Sequence, residues 1–226
     1  VRRAGVDATV VVGGDVPDLG GSAVAGAADV VVYEADEYDR SFLFGRPSVA
    51  VITNVEHDHP DIYPTLADVV AAFGAFARAV RPDGLIVACA DSPQLRGAVD
   101  GAAAAITWYG LADAPGGRAG VDWLAVPAGP APDGQAFDVF HAGRSLGRFT
   151  TRLAGAHNVA NALAVIAAAD ALGLDAAAVR AAVADYRGVS RRFEVVGEAA
   201  GVTVIDDYAH HPTEIAATIA AARARF

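Results

Sequence analysis

Two hydrophobic patterns alternate along the chain. Short runs dense in β-branched residues predict strands over Ala8–Val12, Val30–Glu34, Val49–Thr53 and Leu85–Ala90. Unbroken apolar runs such as Val49-Ala50-Val51-Ile52 suit strands covered on both faces, as in a parallel sheet. Ala-rich stretches with helical spacing follow: Leu66–Val80, closed by the turn sequence Arg81-Pro82-Asp83-Gly84; Val159–Leu172, ended by Gly173; and Ala176–Tyr186. The alternation predicts an α/β fold, a mostly parallel sheet flanked by helices. Segments near Val121–Val126, Ala136–His141 and Ser145–Thr150 predict an antiparallel excursion. The Gly/Pro/Ala-rich stretch from Leu111 to Gly134 reads either as a flexible connection or as loops around those segments. Composition changes near Gly188-Val189-Ser190, so residues 1–188 are expected to form one domain and 189–226 to open a second. That second part reads as strand (Thr203–Asp206), polar loop and helix (Thr213–Ala221).

Composition narrows the function. A 54% hydrophobic share over 226 residues supports a sizeable core. A net charge of -10 argues against a nucleic-acid binder, which needs clustered cations. No apolar run approaches the ~18 residues of a membrane span, so no membrane insertion is expected. The single cysteine, Cys89, forbids an internal disulfide and fits a reducing cytoplasm. The chain holds no methionine, so Val1 is not expected to be a natural start. All 17 basic residues are arginine, and without lysine these residues cannot form a Walker A loop.

Four polar clusters could carry chemistry. Glu34-Ala35-Asp36-Glu37-Tyr38-Asp39 places four carboxylates directly after a strand, where parallel sheets bind ligands, and hard oxygens suit Mg²⁺. A solvated acidic loop is the plainer alternative. Thr53–Asp61, with His57, His59 and neighbouring acids, could form a metal site or a general-base cluster, or a polar loop whose histidines cap the next helix. Asn158 and Asn161, three apart, lie on one helical face and could read an adenine edge; N-capping by Asn158 would need no ligand. Asp206-Asp207-Tyr208-Ala209-His210-His211-Pro212-Thr213-Glu214 exceeds what helix capping at Thr213 requires, and Asp207 could accept from ribose hydroxyls.

In this order the segments resemble the Mur ligase family, most closely its alanine-adding branch. The resemblance rests on Glu34–Leu43, Thr53–Asp61, His157–Ala162, Arg191–Glu194 and Asp206–Glu214, with Val12-Gly13-Gly14 and Leu19-Gly20-Gly21 upstream, and it weakens around Leu111–Thr150. It implies an ATP- and Mg²⁺-dependent central domain followed by the start of a Rossmann-like C-terminal domain. The implied reaction is amide formation between the lactyl carboxylate of UDP-N-acetylmuramate and L-alanine, through an acyl phosphate. Glu34 and His59 would be the Mg²⁺ ligands. His157, Asn158 and Asn161 would lie at the adenine, and Arg192 and Asp207 at phosphate and ribose. Tyr208 and His210 would lie near the incoming amino acid, with His210 grouped with Glu34 and His59 as catalytic, and His57 would be peripheral. The family's phosphate-binding loop, its UDP-binding domain and most of its C-terminal domain would fall outside residues 1–226, so this stretch alone is expected to be inactive.

Two other enzymes remain in competition. A ligase recycling murein tripeptide onto the same UDP-sugar shares the acidic run, but such enzymes usually carry an insertion after it and Phe in place of Tyr208. Here Arg40–Gly45 runs straight into the next strand. A metal-dependent hydrolase built on His57-Asp58-His59 would need a metal-bound water and no ATP. A pure binding module is the third possibility.

Overall fold

The computed structural model describes residues 1–112 and 118–226; residues 113–117, part of the Leu111–Gly134 stretch, lie outside the described residues. The strands are β1 (Thr9–Val16), β2 (Gly21–Val24), β3 (Val31–Tyr33), β4 (Val49–Ile52), β5 (Leu85–Cys89), β6 (Ala105–Leu111), β7 (Trp123–Ala131), β8 (Gly134–His141), β9 (Arg144–Thr151), β10 (Glu194–Ala199) and β11 (Val202–Asp206). The helices are α1 (Leu66–Ala79), α2 (Leu95–Ala98), α3 (Ala156–Ala171), α4 (Ala176–Asp185) and α5 (Pro212–Arg225).

The expected strands form, but not in one sheet. The main sheet has the order β4-β5-β6-β7-β8-β9, parallel from β4 to β7 and antiparallel from β7 to β9. Thus the antiparallel excursion is present, joined to the parallel sheet through β7, and the sheet is mixed. A separate sheet has the order β2-β1-β3, with β1 and β3 parallel, and β10-β11 is a hairpin. Two prolines, Pro127 and Pro130, lie within β7. Among the described residues β6 pairs with β7 as far as Ala125, short of both prolines, and the pairing at Pro127 and Pro130 is with β8.

The core lies between the main sheet and its helices. Ile86, Val87 and Ala88 of β5 are fully buried, with Phe76 and Ala77 of α1 and Val159 and Leu163 of α3 in the same cluster. Burial on both faces is what the unbroken apolar strands required. Helix α1 begins at a capping box, in which Thr65 and Asp68 each accept the other's backbone N–H. Helix α3 starts at Ala156, earlier than the apolar spacing alone predicts, because its N-cap is Gly155 in a left-handed conformation (φ 91°). A side chain at Gly155 would collide with the His157 ring and with Ala221 of α5. That glycine lets the two helices meet.

Asp18 fastens the start of the chain to the segment after α4. Its nearly buried carboxylate accepts from Arg187 Nε at 2.6 Å and lies 3.2 Å from Arg3 Nη2. Burial pushes its pKa up, but the hydrogen bonds from Arg187 and the charges of Arg3 and Arg187 outweigh it, leaving the carboxyl below its ordinary value.

Two predictions follow from the packing and from this carboxylate. Ile86→Ala should lower unfolding free energy by about 2–5 kcal/mol in a urea titration; a loss below about 1 kcal/mol would contradict the account of the core. For Asp18, a depressed folded pKa means stability that is present above the unfolded value and lost as pH falls through the folded one. Asp18→Asn should therefore be less stable than the native chain at neutral pH, and the two should converge on acidification. A difference that grows towards low pH would be the wrong sign.

Candidate functional site

Two polar loops leave the carboxyl ends of strands in different sheets, one after β3 and the other after β4. The first is held by Phe42, 3% exposed, whose ring stacks on Phe76 of α1 at 5.1 Å and meets Phe73 edge-on at 5.3 Å. Asp39 and Arg40 take left-handed conformations (φ 53° and 57°), folding the loop back on itself. The second loop is fastened to the first by Tyr63, 1% exposed, whose hydroxyl donates to the Glu37 carbonyl at 2.6 Å. Burial raises the Tyr63 pKa, so the phenol stays protonated and able to donate. Arg40 lies over the Tyr63 ring and donates to the Ile62 carbonyl at 3.4 Å.

Within this frame Glu34 and His59 have different partners. Glu34 Oε2 accepts from the Gly13 N–H of β1 at 2.6 Å. His59 Nε2 lies 3.3 Å from Glu37 Oε1, and its ring meets Tyr38 edge-on at 5.1 Å. His59 itself is left-handed (φ 52°), and its backbone N–H donates to Asp58 Oδ1 at 2.7 Å. The structure fastens the two loops together but puts no hydrogen bond or ion pair between Glu34 and His59. Among the described residues no group of three His, Cys, Asp or Glu side chains is gathered to hold a metal ion. The Glu34 carboxylate fits Mg²⁺, which takes one or two protein oxygens and fills its shell with water and phosphate; the His59 ring offers nitrogen, a softer donor than this ion ordinarily takes. His57 turns to its own loop: Nε2 lies 2.9 Å from the Tyr63 carbonyl, which can only accept.

A second grouping spans the junction of residues 1–188 with the rest. Asn158 is not the N-cap of α3 but lies in its first turn; its Nδ2 donates to the Ala154 carbonyl at 2.8 Å and lies 3.0 Å from His157 Nε2. An amide nitrogen only donates, so Nε2 accepts and the His157 proton sits on Nδ1. Burial lowers the His157 pKa; Asp207 raises it and Arg192 lowers it, so both groups lie close enough to act on this ring, which is neutral at pH 7. Asn161 is exposed one turn on. Asp207 accepts from the backbone N–H groups of Phe193 and Ala209, each at 2.8 Å, one on each oxygen. Beside this set is a cavity of about 290 Å³ whose lining includes Pro17, Arg152, Asn158, Arg192, Phe193 and Arg225.

Tyr208 and His210 project from the loop before α5, both more than half exposed. Arg191 and Arg192 lie over the Tyr208 ring, at 5.2 and 5.8 Å. His210 Nδ1 lies 3.1 Å from the Tyr208 carbonyl. Sequence reasoning overlooked the contact of Glu56 with this region: Thr213 Oγ1 donates to Glu56 Oε2 at 2.6 Å, and His211 Nδ1 is 3.2 Å from the same oxygen. Burial raises the Glu56 pKa, but hydrogen bonds from Thr213 and Asn54 and the His211 ring lower it further, leaving a carboxylate below its ordinary range. No local spacing could have shown a pairing across 157 positions.

The class so defined is an α/β domain with polar loops beyond its parallel strands, followed by a hairpin and helix that share its candidate junction cluster. The chain belongs to the Mur ligase family: residues 15–169 match the Mur ligase middle domain and residues 191–226 the Mur ligase glutamate ligase domain. It is 50% identical over 240 residues to a UDP-N-acetylmuramate–L-alanine ligase of Chloroflexus aggregans, an alignment covering 100% of this chain and 50% of that protein. The crystal structure of a UDP-N-acetylmuramate–alanine ligase from Thermotoga maritima superposes with a TM-score of 0.82 at 30% identity, covering 100% of this chain and 49% of that one. A Neisseria meningitides ligase for UDP-N-acetylmuramate and L-alanyl-γ-D-glutamyl-meso-diaminopimelate gives 0.70 at 31% identity, over 84% of this chain and 60% of that one. This chain therefore spans about half the length of the alanine ligases it matches.

Tyr63→Phe should lower stability by about 1–2 kcal/mol, because the Glu37 carbonyl loses its donor, and should shift the NMR resonances of the His59 ring. Unchanged stability and unchanged resonances would show that this hydroxyl does not hold the loops together.

Proposed function

We propose that the chain belongs to a ligase that joins L-alanine to the lactyl carboxylate of UDP-N-acetylmuramate, driven by ATP with Mg²⁺, in cytoplasmic peptidoglycan precursor synthesis. Residues 1–188 are assigned to its central ATPase domain and residues 189–226 to the opening of its amino-acid-binding domain. The observation that carries the reading is the junction cluster. His157 and Asn158 from one side meet Arg192 and Asp207 from the other, beside a cavity with room for part of a nucleotide. The end-to-end similarity to alanine ligases supports it.

The nucleotide supplies a phosphoryl group that turns the lactyl carboxylate into an acyl phosphate open to the amine, and Mg²⁺ neutralises phosphate charge. Glu34 and His59 are the residues assigned to that ion. Neutral His157, with Asn158 and Asn161, lines the adenine position. Arg192 meets phosphate. Asp207 meets ribose: each of its oxygens accepts one backbone N–H and keeps a further acceptor site. Tyr208 flanks the incoming amino acid. His210 Nδ1–H donates to the Tyr208 carbonyl, which leaves Nε2 as the nitrogen placed to take the proton that the alanine amine sheds as it attacks the acyl phosphate and phosphate departs.

The murein-tripeptide reading is disfavoured by the direct run from Phe44 into β4 and by Tyr208. In the hydrolase reading His57, with Nε2 on the Tyr63 carbonyl, would have Nδ1 left for a metal. ADP release by the full-length protein carrying this sequence is the test. It should require both UDP-N-acetylmuramate and L-alanine, and Glu34→Gln or His59→Asn should lower kcat/KM by roughly 100-fold or more. Release driven by the tripeptide and not by L-alanine would move the assignment to the recycling ligase. Hydrolysis without ATP would overturn it.

A further inference from the structure

We infer that Glu56 is a positioning residue, which ties the loop bearing His59 to the N-terminus of α5 and so sets where Tyr208 and His210 stand relative to that loop. The inference rests on the ligase reading for its functional consequence but not for its geometry. Glu56 lies three residues before His59, and Thr213 three residues after His210. Their side chains meet at 2.6 Å, a short hydroxyl–carboxylate bond of the charge-assisted kind.

Among the described residues, the side-chain polar contacts joining residues up to 188 to residues from 202 onward both end on Glu56 Oε2: the Thr213 hydroxyl and, at 3.2 Å, the His211 ring. The other attachments belong to backbone and packing. Ser190 N–H donates to the Asp15 carbonyl at 2.9 Å, and Ala221, 2% exposed, sits against Gly155. Those contacts hold the linker and the far end of α5. The start of the loop is tied to the linker, through the Tyr208 N–H on the Arg191 carbonyl at 2.9 Å, but its tie to the loop bearing His59 runs through Glu56.

His211 stands beside the same oxygen in a double role. Its Nδ1 is 3.2 Å from Glu56 Oε2 and 3.4 Å from the Thr213 N–H. One nitrogen cannot donate to the carboxylate and accept from the amide at once. The ring therefore either caps α5 or pairs with Glu56, whereas the Thr213 hydroxyl serves Glu56 in both cases. Glu214 keeps the turn closed throughout, accepting from the His210 and His211 N–H groups at 3.2 and 3.4 Å. Losing Glu56 should thus free the loop without unfolding α5.

The test uses the full-length protein with Glu56→Ala, Thr213→Val, Thr213→Ser and the Glu56→Ala/Thr213→Val double variant. Amide hydrogen exchange over residues 208–214 should rise about tenfold in the first two, the size expected when one hydrogen bond to a charged group is lost. Thr213→Ser, which keeps the hydroxyl, should stay native-like, and the double variant should be no worse than either single one. In turnover, KM for the amino acid should rise in Glu56→Ala and Thr213→Val while KM for ATP holds. Unchanged exchange, or additive effects in the double variant, would overturn the tie. An increase in exchange without the KM change would overturn the positioning role. A native protein that turns over no amino acid would count against the ligase reading alone, since exchange reports on the tie independently.

Discussion

The site depends on one fastening. The polar loops after β3 and β4 leave separate sheets, so no shared ladder of backbone hydrogen bonds fixes their spacing. What fixes it is the buried Tyr63 hydroxyl on the Glu37 carbonyl, with Arg40 laid over the same ring and Phe42 anchoring the first loop on α1. The donor is buried and the carbonyl only partly open to solvent, so losing this hydrogen bond leaves a polar group that water re-solvates incompletely. His59, beside Glu37, takes its position from that scaffold, whereas Glu34 is held from β1, by its N–H on the Val11 carbonyl and its carboxylate on the Gly13 N–H.

At the other end, the junction cluster follows a different logic. Gly155 removes the side chain that would keep α3 and α5 apart, and the close approach brings the α3 N-terminus towards the linker from Arg191 to Phe193. His157 loses water there and becomes neutral, while Asp207 is ordered by two backbone N–H groups. A neutral imidazole and a backbone-anchored carboxylate form a preorganised polar surface, with little left to rearrange when a ligand arrives. Glu56 connects the two regions through Thr213, so the strand-end loops and the junction are mechanically linked.

Much of this was legible in the residues, for stated reasons. β5 is buried on both faces, so its unbroken apolar run gives it away; β4 carries a similar run, but it is the sheet's edge strand and leaves Val51 exposed, so the expected burial on both faces does not hold there. The helices declared themselves by spacing and by stop signals such as Gly173. β10 did not, because all of its residues are exposed and no alternation marks an inner face. β7 was obscured by Pro127 and Pro130, which argue against a central strand; among the described residues β6 pairs with β7 only as far as Ala125. The division into two sheets was hidden too: periodicity reports burial, not which strand is the neighbour. Of the candidate site residues, the clusters were visible as charge beyond strand ends. Their partners were not, since Gly13, Tyr63 and Thr213 reach them across long stretches of sequence.

The central claim is that the two fastened loops act as one cation site, with Glu34 and His59 on the same ion. Crystals of the full-length protein grown with Mn²⁺ and a non-hydrolysable ATP analogue would test it through the anomalous signal of the metal. The account predicts a peak bonded to both the Glu34 carboxylate and the His59 ring, with phosphate oxygens completing the shell. A peak held elsewhere, with Glu34 still on the Gly13 N–H and His59 still beside Glu37, would contradict it.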